Sequence, residues 1–367
     1  MAGGVEMLRR WAFLICALGI LAAPAASAQL APSLNAHEGD FVIRDFHFAS
    51  GESLPEVRLH YMTLGTPARD ASGAVTNAVL ILHGTGGSGG QFLRPQFAGE
   101  LFGPGQLLDT AKYFIILPDD IGHGKSSKPS DGMRMRFPHY DYADMVEAEH
   151  ALVTRGLGVA RLRLVMGTSM GCMHAFMWGE TWPDTARALM PLACLPVAIA
   201  GRNRLWRRMI IDDITQDPAW RNGDYASEPL AGLRGAEAIL AIAGSAPQQM
   251  QKALPTPASV DAYLAKSTAA SLAGVDANDL IYQVDSSRDY DPSARLETIT
   301  APMMWVNSAD DFINPPELGI AEREAPRLKR GRFVLLPISP NTHGHGTHTW
   351  AVAWKEYLAE LLAKSGG

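Results

Sequence analysis

The chain has 367 residues, a formal charge of -6, 47% hydrophobic residues and only 3 cysteines. That excludes a disulfide-built mini-protein, a disordered tail and a basic nucleic-acid binder, and leaves room for one large core or two modest ones. The 35 glycines and 24 prolines spread along the chain suit a loop-rich mixed α/β protein.

Arg9 and Arg10 precede an apolar run from Trp11 to Ala23, followed by Ala26-Ser27-Ala28 in the small-x-small form of a signal-peptidase site. Residues 1–28 therefore read as a cleavable signal peptide, since the run falls short of the ~20 residues of a spanning helix. An uncleaved anchor is the alternative. The expected mature protein is secreted or periplasmic, with no membrane contact after cleavage. It keeps Cys172 and Cys194, both in apolar runs. Buried free thiols are expected, with one disulfide as the alternative.

Strand-like and helix-like segments alternate from Asp40 onward. Phe41 to Phe48 and Val57 to Leu64 read as two strands around a Gly-Glu-Ser turn. Ala78–Leu82, Tyr113–Leu117, Leu162–Met166, Leu189–Leu192, Met303–Val306 and Phe333–Leu336 bring the expected count to eight. Helical spacing runs from Tyr140 to a stop at Gly156, and Trp350, Trp354, Tyr357, Leu358 and Leu361 form a C-terminal apolar stripe. The alternation implies a mostly parallel sheet covered on both faces. Residues 196–293 break that rhythm and read as a helical cap inserted between core segments 29–195 and 294–367.

The strongest local signal is Gly167-Thr168-Ser169-Met170-Gly171, with a strand before it and a helix after it. A serine on such a turn is exposed at the sheet's C-terminal edge, beside the positive end of a helix. It becomes a nucleophile only when a base takes its proton and an acid orients the base. In this chain order the acid follows a late strand, where Asp310 and Asp311 stand side by side, and the base follows the last strand. There His343, His345 and His348 fall within six residues. No nearby acid or cysteine completes a ligand set, so no metal is expected. Flanking glycines make His345 the most freely placed of the three. His83-Gly84-Thr85-Gly86-Gly87 follows a strand, and the N–H groups of Thr85 and Met170 are the expected oxyanion donors.

Two nucleotide-like patterns compete. Gly84 to Gly89 fits a dinucleotide fingerprint, but two strands precede it and the acidic residues after the next strand come late. Gly122-His123-Gly124-Lys125-Ser126 lacks the first glycine of a phosphate loop, because Asp119 stands there. No cofactor and no nucleic acid is expected, only a small-molecule acyl substrate.

Together these segments resemble the α/β-hydrolase superfamily, and in particular its homoserine O-acetyltransferase-like branch. Phe137-Pro138, Tyr142, Asp144-Met145-Val146 and Gly156-Leu157-Gly158 are similar to the branch's helix before the nucleophile strand. Ser169-Met170-Gly171-Cys172-Met173 resembles its nucleophile run. Arg207-Arg208, Asp217-Pro218, Trp220, Gly223-Asp224-Tyr225, Pro229 and Gly232-Leu233 resemble its cap motif. The resemblance implies an α/β-hydrolase fold and a Ser169–His345–Asp311 triad. Asp311 precedes Phe312-Ile313-Asn314-Pro315-Pro316 at the branch's spacing, and His345 follows Gly344. Counting from Ser339-Pro340 selects His343 instead. The branch also implies a homodimer. Where its transferases carry a Gly-Ser-Thr-Gly loop, this chain has Asp120 to Ser126, nearer to ordinary hydrolases. A secreted ester hydrolase is the expectation, an acyltransferase with the same triad the alternative. Trp206, Trp220, Tyr225 and Tyr263 are expected either to wall the acyl site or to form cap core.

Overall fold

The computed structural model describes residues 34–366; the signal-peptide expectation for residues 1–28, and Cys16 with it, lies outside them. Eight strands form one sheet in the order β1-β2-β4-β3-β5-β6-β7-β8. They are β1 (His37–His47), β2 (Ser53–Leu64), β3 (Ala78–Leu82), β4 (Phe114–Pro118), β5 (Leu164–Thr168), β6 (Leu189–Leu192), β7 (Met303–Ser308) and β8 (Gly331–Leu336). β1 and β2 are antiparallel, β2 meets β4 antiparallel, and every later pairing is parallel.

The central strands β3 to β7 are buried at every position and mostly apolar because both faces are covered. Along β3, Ala78, Leu80 and Leu82 point into one core and Val79 and Ile81 into the other. The first core is closed by α2 (Tyr142–Ala151) and α3 (Met170–Thr181), the second by α1 (Pro95–Leu101) and α10 (Lys355–Ser365). The reciprocal Asp141–Asp144 capping box starts α2, and a π-helical turn over Leu152–Gly156 extends it to the expected stop. The C-terminal stripe is corrected at its start. A 3₁₀ turn over Ala351–Ala353 intervenes, so Trp350 lies outside α10 and stacks on His343.

Between β6 and β7 come α4 (Gly201–Gln216), α5 (Leu230–Ala243), α6 (Pro247–Ala253), α7 (Pro257–Ser271) and α8 (Ala277–Asp285). Trp206, Ile210, Ile214, Tyr225, Leu233, Leu280 and Val284 make a third core among them. Trp206 and Tyr225 are buried in it, Trp220 packs against it, and Tyr263 is exposed. Of the two readings left open for the cap aromatics, cap core holds for Trp206, Trp220 and Tyr225, while Tyr263 lies at the surface. A short helix α9 (Ile320–Glu324) precedes β8.

The free-thiol expectation is also corrected: Cys172 and Cys194 form a disulfide, with Cα atoms 5.8 Å apart. Cys172 lies in the first turn of α3, and Cys194 follows β6, which pairs with β5 in parallel. The short crossover returns the two positions to the same edge of the sheet.

Candidate active site

The turn after β5 carries the serine. Ser169 has φ 56° and ψ -110°, a region that L-residues avoid and that costs on the order of 1–3 kcal/mol. The glycines on either side make the turn possible. A Cβ on Gly167 would lie 1.8 Å from Gly171 O, and one on Gly171 would lie 2.2 Å from Leu82 O. No side chain fits at either place. The turn lifts Ser169 out of the sheet into partial exposure, while Met170 behind it is sealed.

His345 reaches this hydroxyl from the loop after β8: its Nε2 is 2.8 Å from Ser169 Oγ. On the other side of the ring, Nδ1 is 2.9 Å from Asp311 Oδ2. Asp311 is 2% exposed. Burial alone would push its carboxyl up. The charge and hydrogen bond of His345, with two hydrogen bonds from Asn314, outweigh burial and hold it below the usual carboxylate range.

Geometry separates the paired alternatives. Asp310 turns away, accepting from Ser308 Oγ and, at 3.1 Å, from Gly344 N–H, so it braces the histidine loop. His343 stacks on Trp350 with ring centroids 3.9 Å apart, and His348 packs edge-on against His345 at 5.1 Å. The three histidines thus point to three different neighbours.

Asn314 was not foreseen. Its Nδ2 donates to Asp311 Oδ2 and to Ala193 O, both at 3.0 Å, and lies 3.5 Å from His345 Nδ1. In sequence it is one more polar residue in a proline-rich turn, and its only signal is the spacing of three from Asp311. Gln249 is a second unforeseen residue: from α6 it donates to Pro340 O at 3.1 Å and Thr342 O at 2.9 Å. The cap therefore holds down the histidine loop.

The loop after β3 faces the serine. A Cβ on Gly84 would sit 3.7 Å from Ser169 Oγ. Gly87 N–H closes a turn on Gly84 O at 2.9 Å, which leaves Thr85 at its tip; the Thr85 hydroxyl is buried without a hydrogen-bond partner. Met170 opens α3, where an N–H has no acceptor within the helix. His83 O accepts from Gly171 N–H at 2.9 Å and locks the two segments together.

Two cavities adjoin residues of the site, neither of them lined by Ser169 or His345. A polar cavity of about 440 Å³ runs along Gly86, Gly87 and Gln91, with Arg94 and Lys128 in its wall. An apolar one of about 450 Å³ runs along Met173, Leu195, Ile313 and Asn314.

A parallel sheet with an inserted helical segment, and a serine turn facing an imidazole and a buried carboxylate, define an α/β hydrolase. The family model described as "alpha/beta hydrolase fold" matches residues 77–335, and the chain belongs to that family. Within it, the chain falls in the homoserine O-acetyltransferase-like branch. A homoserine O-acetyltransferase of Pelobacter propionicus is 30% identical across 86% of this chain and 94% of its own length. Among solved structures, the acetyl esterase MekB superposes with a TM-score of 0.78 at 25% identity, covering 89% of this chain and 97% of its own. A homoserine O-acetyltransferase of Bacillus anthracis has the same fold, with a TM-score of 0.78 at 21% identity, covering 89% and 97%. The chain is thus an enzyme of the acyl-transferring or ester-cleaving type.

Proposed function

We propose that the protein is an exported serine hydrolase that cleaves a carboxylic ester by two-step acyl transfer. The observation that supports this reading best is the continuous line Ser169 Oγ–His345 Nε2, His345 Nδ1–Asp311 Oδ2, at 2.8 and 2.9 Å. Ser169 Oγ attacks the ester carbonyl while His345 Nε2 takes its proton, and Asp311 stabilises the imidazolium that forms. The carbonyl π electrons move to oxygen, which the N–H groups of Thr85 and Met170 receive. Each such donor supplies about 2.7–4 kcal/mol. The tetrahedral centre collapses, His345 gives the proton to the departing alkoxide, and the alcohol leaves. Water then repeats the sequence on the acyl-enzyme, returning Ser169 and a carboxylic acid. Export rests on the basic-apolar-small pattern of residues 1–28.

Transfer to an acceptor other than water is the second reading, favoured by the identity to the Pelobacter propionicus acetyltransferase. The loop from Asp120 to Ser126 supports hydrolysis instead, since the branch's transferases carry Gly-Ser-Thr-Gly there.

The test is a chain-length panel of p-nitrophenyl esters, and acetyl-CoA, each with and without homoserine. Hydrolysis independent of homoserine is expected, together with fluorophosphonate labelling that maps to Ser169. Ser169→Ala should lower kcat by roughly 10⁶-fold. Ester turnover that survives this change overturns the nucleophile assignment; turnover only with homoserine makes the enzyme a transferase.

A further inference from the structure

Behind the oxyanion loop lies an ionisable set that the mechanism above does not use. Asp120 follows β4, Glu149 sits on α2 and His174 on α3, each side chain at most 1% exposed. One facing oxygen or ring nitrogen of each lies within 4.8 Å of the others. Glu149 is satisfied on both oxygens, by His174 Nδ1 at 2.7 Å and Trp178 Nε1 at 2.6 Å. Asp120 is not. Neither of its oxygens receives an N–H or hydroxyl donor, although Oδ2 lies 3.5 Å from His83 Nε2 and 3.8 Å from His174 Nδ1. What remains within hydrogen-bonding reach is the Glu149 carboxyl.

His83 offers the Asp120 carboxyl no hydrogen. Its Nδ1 is 2.8 Å from Gly84 O, an acceptor only, so that nitrogen carries the hydrogen. Its Nε2 receives the Asp120 N–H at 3.1 Å. Burial keeps His174 neutral, its value pushed down to about 4. Tyr140, Tyr142 and His123 complete the titratable surroundings, with burial holding Tyr140 well above and His123 well below their ordinary values. Two adjacent buried carboxylates therefore face each other, and in a low dielectric both cannot stay ionised.

We propose that Asp120 and Glu149 share a single proton, and that Asp120 so neutralised is a positioning residue for the oxyanion loop, acting through His83. The second half of this rests on the acyl-transfer reading of Ser169. His83 joins three segments: Asp120 N–H binds its Nε2, its Nδ1–H binds Gly84 O, and its own carbonyl accepts Gly171 N–H. With the proton in place, the set bears one negative charge. Once it is lost, a second negative charge stands behind the loop that must receive an oxyanion, and it opposes that oxyanion as it develops. Burial pushes Asp120 to about 8 and Glu149 to about 7, so the pair gives up one proton near neutrality and keeps the last, shared one until mild alkali. The unfolded chain releases it near the ordinary 3.8 to 4.5, so folding stability falls as pH climbs from there through 8.

The experiment uses the full chain, Glu149→Gln and Asp120→Asn, with three readouts: denaturation midpoint against pH, kcat and KM for p-nitrophenyl acetate against pH, and bound metal by elemental analysis. For the unaltered chain the midpoint should fall from pH 5 to 8.5, and kcat should drop about tenfold per pH unit beyond the break while KM stays level. Glu149→Gln should flatten both alkaline falls relative to its own plateau. A midpoint profile unchanged by either variant overturns the shared proton. So does one divalent ion per chain that Asp120→Asn removes. A flattened midpoint profile with an unaltered alkaline limb of kcat overturns the positioning role alone. Absence of any Ser169-dependent turnover in the unaltered chain overturns the acyl-transfer reading and the positioning role with it, while the midpoint profile still decides the proton.

Discussion

The serine turn and the histidine loop meet at one hydrogen bond yet are built on different physics. The turn is held by the interior. Gly167 and Gly171 leave no room for a side chain, β5 is fully buried, and the disulfide pins the first turn of α3 to the end of β6. The loop over 337–349 is exposed at its start and buried at Thr342, Gly344, His345 and Thr347, and polar contacts with other segments hold it: Gln249 from the cap, and the Asp310 carboxylate that takes the Gly344 N–H. Packing fixes Ser169, whereas hydrogen bonds aim His345. Damage to the first should appear mainly as lost stability, and damage to the second mainly as lost turnover.

Among changes that leave Ser169 in place, the largest effect should come from the carboxylate bonded to the imidazole. Asp311→Asn should lower kcat by about 10⁴-fold by favouring the wrong tautomer of His345. Asp310→Asn removes one brace from the loop and should act only at the level of a single hydrogen bond, about 0.5–1.5 kcal/mol. Parallel steady-state kinetics on the two variants check this, and equal losses would mean that the assignments of acid and brace are wrong. Next in size, Cys172→Ser opens a disulfide closing 22 positions of chain, and should cost about 3 kcal/mol in urea denaturation while kcat changes little. A large loss of kcat at unchanged stability would contradict the division drawn above. Smallest, Gln249→Ala frees the loop from the cap. It should lower kcat severalfold, about 1 kcal/mol, with no shift in the denaturation midpoint. An equal effect on stability would place the loop in the folding core instead.

The same division explains what could be read in advance. All eight strands were legible, the central ones because burial on both faces makes them mostly apolar runs. The serine turn was legible because its requirements are local: a strand, small neighbours and a helix within a dozen residues. The loop was not, since Asp310 and Asp311 differ only in where their side chains point, and His343 and His345 only in which one leaves Trp350. Asn314 and Gln249 act through contacts that no spacing announces. Cys172 and Cys194 looked like ordinary apolar positions because the crossover that brings them together is a property of the sheet. The cap aromatics stood open between wall and core, and contacts among α4, α5 and α8 decide for core. Asp120, Glu149 and His174 come from three separate elements, and a buried acid pair has no signature until those elements pack.

The bond between Cys172 and Cys194 also bears on how the enzyme is prepared. A batch folded under reducing conditions and one folded with an oxidant share a sequence but are different compounds, separated by a pair of hydrogen atoms and by a cross-link close to Ser169. Specific activities measured on mixtures of the two would vary from batch to batch, and thiol titration under denaturing conditions is the simplest way to tell them apart.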